Sequence, residues 1–238
     1  ELMNALPGLL HANVVACNNI RPNTCTFYQF LGWQAGRIPH YYRLGRRSDY
    51  QLAKPLHYVL PPVQRDLGLE KIESAADLIP LGMPPTSHTP HKDTWYLRRR
   101  YFHYPYFHYD VWAAREHGKL LAYVVTRTVT AKETGCVPVV RLVDFIGEDQ
   151  VLPRLGAALD AILRHTDAEY MDCYNVGIPA EIWQAAGFTE RVEGDGCIIP
   201  NYLTPPLRDN TEYYYFTNKP ENFVLFKADG DQDRPNLT

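Results

Sequence analysis

Asp144 is the residue of this chain best placed to do acid–base chemistry. It interrupts an otherwise apolar run, Leu142-Val143-Asp144-Phe145-Ile146, where desolvation disfavours the ionised form and lifts a carboxyl toward the range of a general base. A carboxylate simply satisfied by Arg141 or by backbone N–H groups is an equal reading of the same residues. A second concentration is Tyr96–Asp110 (YLRRRYFHYPYFHYD), with three consecutive arginines, His103, His108 and five tyrosines. Such interleaving suits single-stranded nucleic acid, by stacking and phosphate contact. It equally suits a nucleotide-sugar, with Arg on the diphosphate and Tyr on the base, or an aromatic core face with solvated arginines. The chain has 24 basic and 27 acidic residues, a net charge of −3, and no wider basic stripe, so nucleic acid fits least. Arg98, Arg99, Tyr101, His103 and Tyr106 are therefore the candidates for lining a cleft beside Asp144 that takes an anionic or nucleotide-linked small-molecule acceptor.

Other constellations are weaker. His103 and His108 stand an odd number of positions apart, on opposite faces of a strand, and no metal site is expected. Asp229-Gly230-Asp231-Gln232-Asp233 imitates the opening of a calcium loop, but Arg234 replaces the required Gly and no twelfth-position Glu follows. A polar tail, or a loop in which Asp233 pairs with Arg234, is the plainer reading. Five cysteines (17, 25, 136, 173, 197) form neither a disulfide framework nor a CxxC site, so a reduced, cytoplasmic protein is expected. No apolar run approaches the ~20 residues of a membrane helix. The chain opens Glu1-Leu2-Met3-Asn4, as a processed start or an excised fragment would.

The elements that must position these groups follow from period and punctuation. Phe107–Glu116 reads as a strand ending at a His117-Gly118 turn, and β-branched Lys119–Ala131 as its hairpin partner. Val137–Ile146 is nearly all apolar and hence central. In Val151–His165 the period changes: Leu152, Leu155, Leu159, Ile162 and Leu163 share one helical face. Glu169–Val176 is a further strand, Pro179–Ala186 a helix closed by Gly187, and Glu212–Lys227 holds two more strands. Ile79–Asp93, with four prolines and no apolar period, reads as an exposed loop or linker. This is an α+β pattern.

Two segments repeat. Val14–Trp33 (VVACNNIRPNTCTFYQFLGW) and Tyr170–Phe188 (YMDCYNVGIPAEIWQAAGF) both run strand, Cys-x-Asn, a Pro-containing turn, a short helix and Gly-aromatic. This block resembles the C-terminal signature of the GNAT superfamily of acyl-CoA-dependent N-acyltransferases. The resemblance implies a GNAT-like mixed sheet flanked by helices over 95–238, a Pro-rich connection over 46–94, and a partial second copy over 1–45. It extends more weakly to duplicated GNAT-like proteins of bacterial surface-polysaccharide synthesis.

The resemblance further implies acetyl-CoA or another acyl-CoA as co-substrate, and an amine of an amino sugar or similar small acceptor. In that fold one strand splays from its neighbour and a backbone cradle after the third strand holds the pyrophosphate. Carried over to this chain, the cofactor side is Phe145, Gly147, Gly156 and Asn175. The catalytic pair is Asp144 as base and Tyr28 as the acid that protonates the leaving thiolate. This sequence departs from the pattern twice. Glu148 and Asp149 bring negative charge to the cradle, and Trp183 stands in the complete copy where Tyr28 stands in the partial one. The other reading is accordingly a non-catalytic GNAT-like binding or scaffold module without a working CoA site. The expected partner is a small molecule, with neither nucleic acid nor membrane, and a homodimer is the assembly to test for.

Overall fold

The structure, a computed structural model, describes residues 2–56, 62, 66–131, 137–203 and 207–230. Cys136 and the Asp231–Arg234 part of the acidic tail lie outside them. In chain order the elements are α1 (Leu2–Leu9), β1 (Ala16–Asn18), α2 (Cys25–Phe30), β2 (Gln34–Arg37), β3 (His40–Leu44), β4 (Glu70–Ile72), α3 (Leu78–Leu81) and α4 (Thr94–Leu97). Then come β5 (Asp110–Glu116), β6 (Lys119–Ala131), β7 (Val137–Gly147), α5 (Gly156–His165), β8 (Tyr170–Val176), α6 (Ala180–Ala185), β9 (Thr189–Glu190), β10 (Tyr214–Thr217) and β11 (Leu225–Phe226). No described helix is long and apolar enough to cross a membrane.

The meander β5–β6–β7 follows the alternation in the sequence. Its first turn is the two-residue pair His117-Gly118, with φ of 48° and 79°, the doubly left-handed geometry that matches strand twist. The first strand starts at Asp110 rather than Phe107. The helical period after β7 begins not as α-helix but as a 3-10 turn over Asp149–Leu155, with α5 from Gly156. Pro153 inside that turn has no N–H to enter an α-ladder.

A mixed sheet of eight strands runs β4-β5-β6-β7-β8-β3-β9, with β11 also on β8. Among the described strands of this sheet only β7 and β8 pair in parallel, at Val140–Met171 and Arg141–Asp172. Helices α5 and α6 and the 3-10 turn before α5 cover one face, burying Leu155, Leu159, Leu163, Ile182 and Trp183 against Val140, Leu142, Phe145, Met171 and Cys173. Helix α4 and the π-turn after it cover part of the other, where Leu97 and Tyr101 meet Val143 and Ile146.

A second sheet has the order β1-β10-β2, and the two sheets complete one another. Strand β10, which follows β9, lies between β1 and β2; β3, which follows β2, lies between β8 and β9. The registers agree position by position. Cys17 pairs with Phe216 and Phe216 with Ala35, as Cys173 pairs with Tyr41 and Tyr41 with Glu190. Tyr28 stacks on Phe216 with centroids 3.9 Å apart, and Trp183 stacks on Tyr41 at 5.0 Å.

Beyond Asp172 the parallel pair parts. Asn175 and Val176 of β8 turn to β11 instead, leaving a wedge between β8 and the C-terminal half of β7. Gly177 marks its mouth. Its φ is +105°, and a Cβ there would stand 2.0 Å from the Phe223 carbonyl oxygen, so only glycine lets the 221–226 segment approach β8.

Candidate active site in the wedge between two parallel strands

Asp144 reaches its position through a β-bulge. Val125 pairs with Asp144 and Thr126 with Leu142, so Val143 is the extra residue. The bulge breaks strict alternation and puts the carboxylate on the α4 side of the sheet, fully buried. Lys92 Nζ lies 2.7 Å from Asp144 Oδ1 and 2.7 Å from Asp229 Oδ1. The Tyr101 hydroxyl donates to Asp144 Oδ2 at 2.6 Å, and Tyr96 donates to Asp229 Oδ1 at 3.0 Å. Arg141 is not the partner of Asp144; it pairs with Asp172 and Asn201.

One ammonium thus serves two carboxylates in a buried site. Burial pushes the Asp144 carboxyl up and Asp229 adds to the rise, while Lys92 opposes both. Burial pulls Lys92 down, but the two carboxylates more than offset it and hold the ammonium above its ordinary value. Burial first, then the Asp144 charge, lift the Tyr101 hydroxyl, which remains a donor.

The wedge is filled by the chain's own segments. Residues 86–92, expected as an exposed linker, run through it as a strap. Thr89 N–H donates to Asn222 O at 2.8 Å, and Val224 N–H donates to Thr89 O at 2.9 Å. On the other side Thr86 donates its hydroxyl to Gly147 O, at 3.2 Å, and His88 Nε2 lies 2.8 Å from Asp149 Oδ1. The segment is the loop its composition suggests, with Ser87, Pro90 and His91 exposed, but the backbone pairing of Thr89 and the buried Lys92 pin it to the fold instead of leaving it a free linker. What remains is a notch with room for about one water molecule, lined by Thr86, His88, Pro90, Lys92, Phe145, Ile146 and Val224, far below the ~300–1,000 Å³ of a drug-sized ligand pocket.

The other candidate residues are dispersed. Phe145 and Gly147 border the strap. Gly156 is the first residue of α5, and its carbonyl accepts from Arg43 Nη1 at 3.0 Å. Asn175 is buried and internally satisfied: it donates to Leu225 O and accepts from Trp183 Nε1, at 3.1 and 3.2 Å. Tyr28 sits on α2 against the small sheet, its ring stacked on Phe216 and Trp33 and not on the groups around Asp144. Of the five acceptor candidates only Tyr101 reaches Asp144. Arg98, Arg99, His103 and Tyr106 are exposed, and Arg99 stacks on Trp95, its guanidinium 5.0 Å from the ring centroid.

The residues that sequence reasoning missed are Lys92, Asp229 and Tyr96. The one available signal was a lone Lys in a segment otherwise devoid of cations between Asp77 and Asp93. Among the described residues no group of three or more His, Cys, Asp or Glu is spaced to hold a metal ion.

A second buried polar cluster lies on the same sheet face, between β3, β7 and β8. His40 Nδ1 accepts from Arg191 Nε at 3.3 Å, which leaves Nε2–H to donate to Asp172 Oδ2 at 2.9 Å. Burial holds His40 below its ordinary pKa against the pull of Asp172, with Arg191 and Arg141 reinforcing the drop. The unfolded chain, with His near 6.5, therefore takes up this proton first. The His40 contribution to stability is whole above about pH 6.5 and is lost as pH falls toward the depressed folded value. Urea unfolding from pH 7.5 to 5.5 should show a destabilisation of up to about 1.4 kcal/mol per pH unit that His40→Gln removes. Parallel profiles for parent and variant would refute the assignment.

No family model matches the sequence, and no curated protein matches it. A number of solved structures are similar, three of them as follows, all at low identity. A functionally unknown conserved protein of Staphylococcus epidermidis shares 11% identity with a TM-score of 0.45, over 91% of this chain and 76% of that one. A GCN5-related N-acetyltransferase of Anabaena variabilis shares 10% at 0.47, over 91% and 48%. A protein of unknown function from Enterococcus faecalis, described as a probable N-acyltransferase, shares 11% at 0.46, over 91% and 47%. The chain spans about half the length of the last two.

Proposed function

We propose that the domain over residues 95–230 is a non-catalytic binding or scaffold module on a GNAT-like framework, without a working acyl-CoA site of its own. The observation that carries this reading is the filled wedge. The gap between a splayed parallel pair is where the resembled family admits its thioester co-substrate. Here β11 pairs with the Asn175–Val176 end of β8, and the 86–92 strap pairs its Thr89 with the 222–224 backbone beside it. Three further features support it. The Asp144 carboxylate is engaged by Lys92 and Tyr101 rather than open to an ammonium. Asp149, at the expected cradle, is spent on His88. Trp183 directs its N–H into Asn175 and offers no hydroxyl to a leaving thiolate.

The second reading, acyl transfer from acetyl-CoA or another acyl-CoA to an amine of a small acceptor such as an amino sugar, is favoured by Tyr28. Its hydroxyl has no hydrogen-bond partner among the described residues and is protonated at neutral pH, so it can donate, although burial raises its pKa and makes it a weaker acid. Thermal unfolding with millimolar acetyl-CoA separates the two. The scaffold reading expects an unchanged midpoint. A ligand at 100 times its dissociation constant would stabilise by about 2.7 kcal/mol, and a shift of that size would replace the scaffold reading with the catalytic one.

A further inference from the structure

Arg154, Arg37 and Lys92 each meet two carboxylates: Asp66 and Glu116, Glu190 and Glu212, Asp144 and Asp229. Along α5 the ratio is inverted. Asp160, its side chain 9% exposed, has three guanidiniums around it. Arg43 of β3 stands 3.6 Å from Oδ1, while Arg164 of α5 and Arg46 of the loop after β3 stand 3.5 and 3.8 Å from Oδ2. These separations exceed the roughly 2.7–3.2 Å of an N–H···O bond, so the carboxylate gathers the three by charge. Arg43 is buried, and its Nη1 donates to the carbonyls of Gly156 and Ala186 at 3.0 and 3.1 Å, which ties α5 and α6 to β3. Arg46 and Arg164 are 60% and 54% exposed and converge on one oxygen from two elements.

The loop beneath Arg46 is pinned. Gly45 lies so close to the α5–β8 connection that a Cβ would stand 2.2 Å from the Ala168 carbonyl oxygen, an approach that only glycine allows. Its N–H donates to Glu169 O at 2.8 Å, and Arg47 pairs with Asp167 at 3.0 Å. The two exposed guanidiniums are therefore brought together before any ligand arrives, which cuts the ordering cost of binding.

We propose that Arg46 and Arg164 bind a phosphate dianion, free or as the monoester of a small molecule. Three guanidiniums against one carboxylate leave two positive charges unbalanced, on a chain whose net charge is −3. A dianion matches that surplus, and a carboxylate ligand leaves one cation unmet. Each guanidinium offers a fork of N–H donors to the oxygens of a tetrahedral anion. Asp160 repels the anion, so the phosphate takes the outer, solvent-facing N–H groups. Two exposed arginines are no stripe for a nucleic-acid backbone. The site lies on the α5 face of the sheet, across it from Asp144, and is independent of the scaffold reading.

The test is titration calorimetry of the 238-residue chain with inorganic phosphate and with phenyl phosphate, against sodium chloride of equal ionic strength. At about pH 7.5 the monoester, with a second pKa of about 6, is mostly dianionic. Saturable binding of one phosphate per chain is expected. Arg46→Gln and Arg164→Gln should each weaken it at least tenfold, with the melting midpoint within about 2 °C of the parent because both side chains are exposed. Arg208→Gln, at an exposed arginine elsewhere, should leave it unchanged. Equal affinity for the two probes assigns the site to the free ion, tighter binding of phenyl phosphate to an esterified ligand, and either supports the proposal. It is overturned if neither probe gives heat beyond that of chloride, or if both glutamine variants bind phosphate as the parent does.

Discussion

Replacing Lys92 by Met should cost about 3–5 kcal/mol of stability, because removing one partner of a buried ion pair strands the other. Here it strands two. Asp144 is completely buried, and Asp229 stands on the same ammonium. For a chain of this size about 2–4 °C accompanies each kcal/mol, so the melting midpoint should fall by roughly 6–20 °C. Lys92→Met combined with Asp144→Asn should recover part of the loss, since a neutral amide can still accept from the Tyr101 hydroxyl without an uncompensated charge. Urea unfolding of the parent, both single variants and the double variant measures the coupling. A single Lys92→Met loss below 1 kcal/mol would show that the strap is not held by this ion pair and that the wedge can open at little cost.

Glu169→Ala should cost a comparable amount, about 3–5 kcal/mol, through hydrogen bonds alone. The Glu169 carboxylate is buried at the entry to β8 and accepts three consecutive backbone N–H groups, from Gln51, Leu52 and Ala53, at 2.8, 2.7 and 2.6 Å. Alanine would leave three donors with no acceptor, two of them on buried residues. Charged acceptors are worth about 1.5–3 kcal/mol each and are not additive. Glu169→Gln should rescue incompletely, because one end of the amide presents its own N–H to these donors. Equal stability of the parent and the alanine variant in urea would mean that water replaces the carboxylate and that residues 51–53 are not anchored there.

Much of the sheet was legible because its signals are local. The bounds of β6 and the period change after β7 can be read from alternation and from the spacing of Leu152, Leu155 and Leu159. The repeat was legible through Cys-x-Asn and Gly-aromatic. What could not be read was long-range. Nothing in His40–Leu44 announces that it pairs with residues more than a hundred positions away, and nothing in Tyr214–Thr217 announces its place between β1 and β2. The site failed for the same reason. Asp144 was legible as an anomaly in an apolar strand, but its cation lies 52 positions earlier, in a stretch whose prolines signal a loop. Proline content reports what a segment cannot do within a sheet. It is silent on whether the segment's carbonyls and one buried ammonium will lodge between two others. The arginine cluster misled because helical turns, not strand alternation, sort it. Leu97 and Tyr101 face inward, while Trp95, Arg98 and Arg99 face solvent.

The exchange of β3 and β10 ties the fold to the order in which the chain is made. Strands β1 and β2 leave the ribosome well before their shared neighbour β10, which begins only at Tyr214. At about 5–20 residues per second the two edges wait on the order of 10–40 s. Until Thr217 is made, the first unit can exist only as two unpaired strands and an apolar helix, a natural client for a holdase chaperone. The second unit carries the mirror debt, since its gap between β8 and β9 is filled only by a strand already synthesised. Neither half can therefore be cut out and kept, and a ribosome that stalls before β10 releases a product with two open edges instead of a smaller folded protein.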